Sequence, residues 1–119
     1  MPGLLKQWLD QVLTRGWAYG SGKPGALAGK TLRVVTSSGG AADAYATGRL
    51  HGWPYDEVLI PLKATARRLG MEWAEPIVVH GARDVTDAEL GTIAARYAAL
   101  LQPVASDPVP PLQPEPLAA

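Results

Sequence analysis

Ser37-Ser38-Gly39-Gly40, followed by Tyr45 and His51, is the stretch of this sequence equipped for chemistry. A β-branched apolar run ends there in two hydroxyls and two glycines. Glycines let a main chain turn and approach a ligand closely, because no Cβ stands in the way. Tyr45 and His51 lie at fixed offsets beyond them and add two proton-bearing groups that can reach back over the loop. Together these residues suit a flat polar ring held by backbone N–H groups. They equally suit a strand that ends in an ordinary Gly-Gly turn.

The other chemistry-bearing residues offer less. His80 ends a second apolar run beside Gly81, with no further histidine or acidic residue at ligand spacing, so it does not read as a metal site. No Ser-His-Asp or Cys-His arrangement is recognisable, and the carboxylates are scattered as solvated helix charges. Neither the dinucleotide-binding glycine pattern nor the phosphate-loop pattern occurs. The glycine-rich segment 20–25 follows a helical stretch where a phosphate loop needs a strand.

The elements around the candidate site are readable from periodicity. Leu4, Leu5, Trp8, Leu9, Val12 and Leu13 fall on one helical face, with Gly16 as a stop. Residues 31–37 read as a strand. A helix is expected from Tyr55 or Asp56 to Leu69, with Val58, Leu59, Leu62, Ala66 and Leu69 inward, Pro61 near its start and Gly70 closing it. Residues 73–80 read as a second strand. Thr86-Asp87-Ala88-Glu89 is a capping box opening a helix that buries Leu90, Ile93, Ala94, Tyr97, Leu100 and Leu101. The expected order is helix, strand, helix, strand, helix, with the strands parallel through a right-handed crossover. In open parallel sheets ligands bind at the carboxyl ends of strands, and Ser37–Gly40 lies at one.

Composition narrows the class. Across 119 residues, 11 basic side chains balance 11 acidic ones, so no charge excess calls for nucleic acid or anionic lipid. Cysteine is absent, which removes disulfides and thiolate metal sites. No apolar run reaches the roughly 20 residues of a membrane span, and no signal peptide is visible. A cytoplasmic protein is expected. Residues 1–101 read as folded, whereas 102–119 hold six of the eleven prolines and read as a disordered, polyproline-like tail.

Four motifs in order then point to a family. Residues 1–10, Met-Pro-Gly-Leu-Leu-Lys-Gln-Trp-Leu-Asp, resemble the helix start MPALLKQWLD of the flavodoxin-like NAD(P)H quinone oxidoreductases. Trp17-Ala18-Tyr19-Gly20 resembles their FAYG, and Ser37-Ser38-Gly39-Gly40 with Tyr45 resembles their TTGG plus tyrosine. Trp53-Pro54 through Gly70 is similar to FPLEELLRPLEATARLCG. The likeness is nearest to the bacterial branch, which includes the ancillary flavoproteins of glutathione-regulated potassium-efflux systems.

The resemblance implies an α/β, flavodoxin-like three-layer fold with a parallel sheet, here its C-terminal half. Members are longer, and their first half carries three strands, two helices and the flavin-phosphate loop. Weak or absent flavin retention is therefore expected of residues 1–119. A long apolar edge is expected to stand open, giving poor stability or a compensating dimer. By the resemblance, Ser37, Ser38, Gly39 and Gly40 contact the ring of FMN or FAD. Tyr45 and His51 form the catalytic pair, with a surface-loop role standing as the alternative for His51. Tyr19 covers the partner's substrate pocket in a homodimer, or else packs its loop against Trp17. Trp53 reads as packing. The implied function is two-electron transfer from NAD(P)H through flavin to a quinone. The alternative is a regulatory subunit on a potassium-efflux antiporter, at the membrane only through that partner.

Overall fold

The computed structural model describes residues 1–105. The chain divides into two compact units, Met1–Arg83 and a second beginning at Asp84. The first holds α1 (Gly3–Val12), β1 (Thr31–Leu32), β2 (Val35–Ser37), a short 3₁₀ helix (Ala42–Tyr45), α2 (Tyr55–Val58), α3 (Ile60–Arg68), β3 (Glu72–Trp73) and β4 (Ile77–Val79). The second holds α4 (Asp87–Ala105).

Each expected strand is present but broken in two. β1 pairs in parallel with β3, Thr31 opposite Glu72, and β2 pairs in parallel with β4, Val35 opposite Ile77. The offset between partners is 41 residues in the first pair (72 − 31) and 42 in the second (77 − 35), so the later strand segment carries one extra residue between β3 and β4. Ala74-Glu75-Pro76 stands opposite Arg33-Val34. Pro76 has no N–H to give the ladder, and an unmatched residue beside it is how a strand takes up a bulge. The breach is stitched on both sides. Ala74 N–H donates to the Leu32 carbonyl and Ile77 N–H to the Val34 carbonyl, each at 2.9 Å, while Arg33 Nη1 donates to the Glu75 carbonyl.

The helix expected from Tyr55 to Leu69 is also two pieces. Leu59 stands between α2 and α3 with φ −89° and ψ −3°, and Pro61 takes the start of α3, where a missing donor costs least. Lys63 Nζ spans the break to Asp56 at 2.8 Å. The break turns Val58 outward, against the expectation, while Leu59, Ala66 and Leu69 stay buried. Gly70 ends α3 as expected. With its φ of +70°, Met71 N–H returns to the Ala66 carbonyl at 2.9 Å and Gly70 N–H to the Arg67 carbonyl at 3.2 Å, the two bonds of a Schellman motif.

α1 stops at Val12, short of Gly16, with Leu13 as its cap. None of its residues is buried, and Leu4 is 79% exposed, with Trp8 and Val12 also open. The core of the first unit is thus small: Ala18, Leu59, Ala66, Leu69 and Ile77.

α4 forms behind both halves of the expected capping box. Thr86 N–H donates to Glu89 Oε2 at 2.8 Å and Glu89 N–H donates to Thr86 Oγ1 at 3.3 Å. The Thr86 N–H first, and the Thr86 hydroxyl donating to Glu89 Oε2 at 2.7 Å second, hold the Glu89 carboxyl below the usual carboxylate range. Leu90, Tyr97 and Leu101 are exposed where burial was expected. The helix also runs to Ala105, past the expected boundary at Leu101. The remainder of the expected tail lies outside the described residues.

Candidate functional site

Because β2 and β4 run parallel with Ser37 opposite Val79, their carboxyl ends share one edge. Ser38 therefore lands beside His80. Ser38 N–H donates to the Val79 carbonyl at 2.9 Å, Ala82 N–H to the Ser38 carbonyl at 3.0 Å, and Gly81 N–H to the Gly40 carbonyl at 2.9 Å. The Ser38 hydroxyl lies 3.0 Å from the Gly40 carbonyl oxygen and 2.8 Å from His80 Nδ1. Ser38 is 8% exposed, whereas Ser37 and Gly39 are exposed and Gly40 is half-buried.

The 3₁₀ helix carries Tyr45 past this turn, and the chain then folds back. Ala46 N–H donates to the Asp43 carbonyl, Arg49 N–H to the Ala46 carbonyl and His51 N–H to the Ala44 carbonyl, at 2.9–3.2 Å. Gly48, with φ +77°, supplies the left-handed residue that this return needs. The result is a His51 ring stacked on Tyr45, centroids 4.4 Å apart and planes 23° off parallel. Both rings stand against Gly40. A Cβ built there would lie 2.9 Å from His51 Nε2 and 3.2 Å from Tyr45 Cε2, so only glycine fits without displacement.

Two residues that sequence reasoning left out complete the cluster. Tyr55 meets Tyr45 edge-on at 4.9 Å and His80 edge-on at 5.0 Å, and His80 lies 5.4 Å from Tyr45. The parallel pairing itself carried the signal for His80: a residue just past one strand end faces its counterpart past the next. Tyr55, the first residue of α2 after Pro54, gave no such signal.

Tyr45 and His51 also line an apolar hollow of about 520 Å³ with Trp53, Val58, Ile60 and Pro61. Tyr19 is elsewhere. It lines a separate hollow of about 440 Å³ with Leu9, Leu13, Pro61 and Leu69, and the Arg68 guanidinium sits 5.0 Å from its ring centroid. Within one chain the structure thus brings together Ser37, Ser38, Gly39, Gly40, Tyr45 and His51, and leaves Tyr19 apart.

The donor set has a chemical direction. Among the described residues the N–H groups of Gly39, Gly40 and Ala41 make no hydrogen bond. A Cβ on Gly39 would meet nothing within 4 Å. Unpaired N–H groups on an open turn beside an aromatic stack fit the carbonyl and nitrogen acceptors of a flat heterocycle such as a flavin ring.

Comparison with known proteins agrees with this architecture. A family model described as a flavodoxin-like fold matches residues 1–102. The glutathione-regulated potassium-efflux system ancillary protein KefG of Serratia proteamaculans is 42% identical over 96 residues, 81% of this chain and 52% of that protein. The crystal structure of general stress protein 14 from Treponema denticola in complex with FMN superposes with a TM-score of 0.74 at 38% identity, over 87% of this chain and 58% of that one. An NADPH-quinone reductase structure from P. pentosaceus gives a TM-score of 0.72 at 33% identity, over 82% and 58%. The chain spans about half the length of the curated relatives it matches. With a family match over nearly all described residues, this chain belongs to the flavodoxin-like quinone reductase family.

Proposed function

We propose that this chain supplies the ring-binding side of a flavin-dependent NAD(P)H:quinone oxidoreductase. The observation that carries the reading is the unpaired N–H groups of the Gly39–Ala41 turn, set against the Tyr45–His51 stack. FMN, or FAD in its place, supplies two-electron hydride transfer between NAD(P)H and a quinone when bound. The turn's N–H groups donate to ring acceptors and favour negative charge there, at no cost of reorganisation. Gly39 keeps the approach to the turn free of side chain. Tyr45 and His51 hold protons at Oη and on the imidazole, placed to be given to an oxygen acceptor. Their hollow, lined by Trp53, Val58 and Ile60, offers the quinone an apolar bed. Ser38 serves by shaping the turn, since its N–H, carbonyl and hydroxyl are all engaged within the protein. Ser37 offers an exposed hydroxyl at the rim. Tyr19 reaches a substrate only in a homodimer, across the boundary between copies.

The FMN bound by the Treponema denticola relative supports the cofactor. The test is Gly39→Ala. Nothing obstructs the added methyl and Gly39 has no positive φ, so folding stability should hold or rise by about 0.4–1 kcal/mol. FMN affinity, read by quenching of flavin fluorescence, should fall at least tenfold. Equal affinity in the two proteins contradicts the reading.

The KefG relatives favour a second role, as an ancillary subunit on a glutathione-regulated potassium-efflux antiporter. Among the described residues no helix is long and apolar enough to cross a membrane. Potassium efflux that is stimulated equally by the parent and by a Tyr45→Phe/His51→Ala variant favours this role; quinone-dependent NADPH oxidation lost in that variant favours the enzyme.

A further inference from the structure

We propose that His80 is a positioning residue of the ring-binding turn: its Nδ1–H holds the Ser38 hydroxyl on the Gly40 carbonyl, and that contact aims the Ala41 N–H outward as a ligand donor. The inference deepens the flavin reading and rests on it for the ligand, though not for the hydrogen bonds.

Proton counting sets the direction. The Ser38 hydroxyl has one proton and two neighbours, Gly40 O at 3.0 Å and His80 Nδ1 at 2.8 Å. Gly40 O can only accept, so the hydroxyl donates to it. The Ser38 oxygen then accepts from His80, which must carry its proton on Nδ1. Ser38 is nearly buried, which makes a lost partner there costly. The His80 ring is held for this task between Tyr45 and Tyr55.

Peptide planarity converts the contact into aim. Gly40 O takes two donors, Gly81 N–H and the Ser38 hydroxyl. The peptide between Gly40 and Ala41 is trans, so the Ala41 N–H points opposite to that oxygen, away from both donors. In the same way Ala82 N–H fixes the Ser38 carbonyl and turns the Gly39 N–H outward. Releasing His80 frees the Ser38 hydroxyl to rotate and loosens the plane that carries the Ala41 N–H.

Two arms test this with the full 119-residue chain. Long-range proton–nitrogen NMR of the neutral imidazole should show His80 protonated at Nδ1; protonation at Nε2 overturns the proposal. In FMN titrations followed by amide shifts, His80→Phe keeps the ring and removes the donor, and should weaken binding about 5–10-fold. His80→Asn places an amide N–H close to the Nδ1 position and should stay within about twofold of the parent. Equal binding by His80→Phe, or an Asn variant as weak as Phe, overturns the proposal. Should the parent itself not respond to FMN, the flavin reading fails at this chain, and the tautomer alone decides for or against the His80 contact.

Discussion

Gly40→Ala followed in two backgrounds measures how tightly the Tyr45–His51 stack closes on the turn. The new Cβ would stand 2.9 Å from His51 Nε2, 3.4 Å from its Cδ2 and 3.2 Å from Tyr45 Cε2. Gly40 has no positive φ, so alanine meets no backbone penalty. His51 is exposed, and its ring therefore swings away before the loop deforms. The loss is the stack, about 0.5–1.5 kcal/mol. Against it stands the reduced freedom of the unfolded chain, about 0.4–1 kcal/mol. The single variant should lie within about 1 kcal/mol of the parent. With His51→Ala already made, both the stack and the nearer obstruction are gone, and Gly40→Ala should stabilise by about 0.4–1 kcal/mol. Urea unfolding of the four proteins should thus return a coupling near 1 kcal/mol. A coupling below about 0.3 kcal/mol, the scatter of independent sites, refutes the close approach.

Two further outcomes test the fold away from this site, one in each compact unit. Gly25→Ala would set a Cβ 2.0 Å from the carbonyl oxygen of Ala18, which is fully buried; backbone cannot swing aside, so a loss of about 3 kcal/mol in chemical denaturation is expected, and a neutral result contradicts the packing of that loop. The Glu89 carboxyl has a depressed pKa in the folded chain, from the Thr86 backbone and hydroxyl. Its contribution is present above the unfolded carboxylate pKa and is lost as pH falls through the depressed folded value. Glu89→Gln should therefore flatten the acid limb of helicity followed by circular dichroism, and an unchanged limb contradicts the cap.

Local chemistry made much of this legible. The Gly70 stop and the Thr86 capping box rest on contacts within a few residues, and both form where the pattern put them. The Ser37–Gly40 turn was readable because two hydroxyls and two glycines end an apolar run. What escaped depended on register between distant segments. Residues 73–80 read as one continuous strand, and only the partner's count of residues shows that a bulge at Pro76 splits both strands. Pro61 was rightly placed near a helix start, yet that start is a second helix, and the break turns Val58 outward. His80 lacked metal-ligand neighbours in sequence, so its partnership with Ser38, 42 residues away, surfaced only with the parallel pairing. The apolar faces of α1 and α4 were read correctly as apolar, but periodicity does not say what covers them, and Leu4, Trp8 and Leu90 stand exposed.

The most direct measurement is an amide map of the nitrogen-15-labelled chain titrated with FMN, which registers even weak binding. The account predicts shifts concentrated at Gly39, Gly40 and Ala41, extending to Tyr45 and His51, with the residues around Tyr19 unmoved. Shifts centred on the Tyr19 hollow, or a spectrum that FMN leaves unchanged, would contradict it.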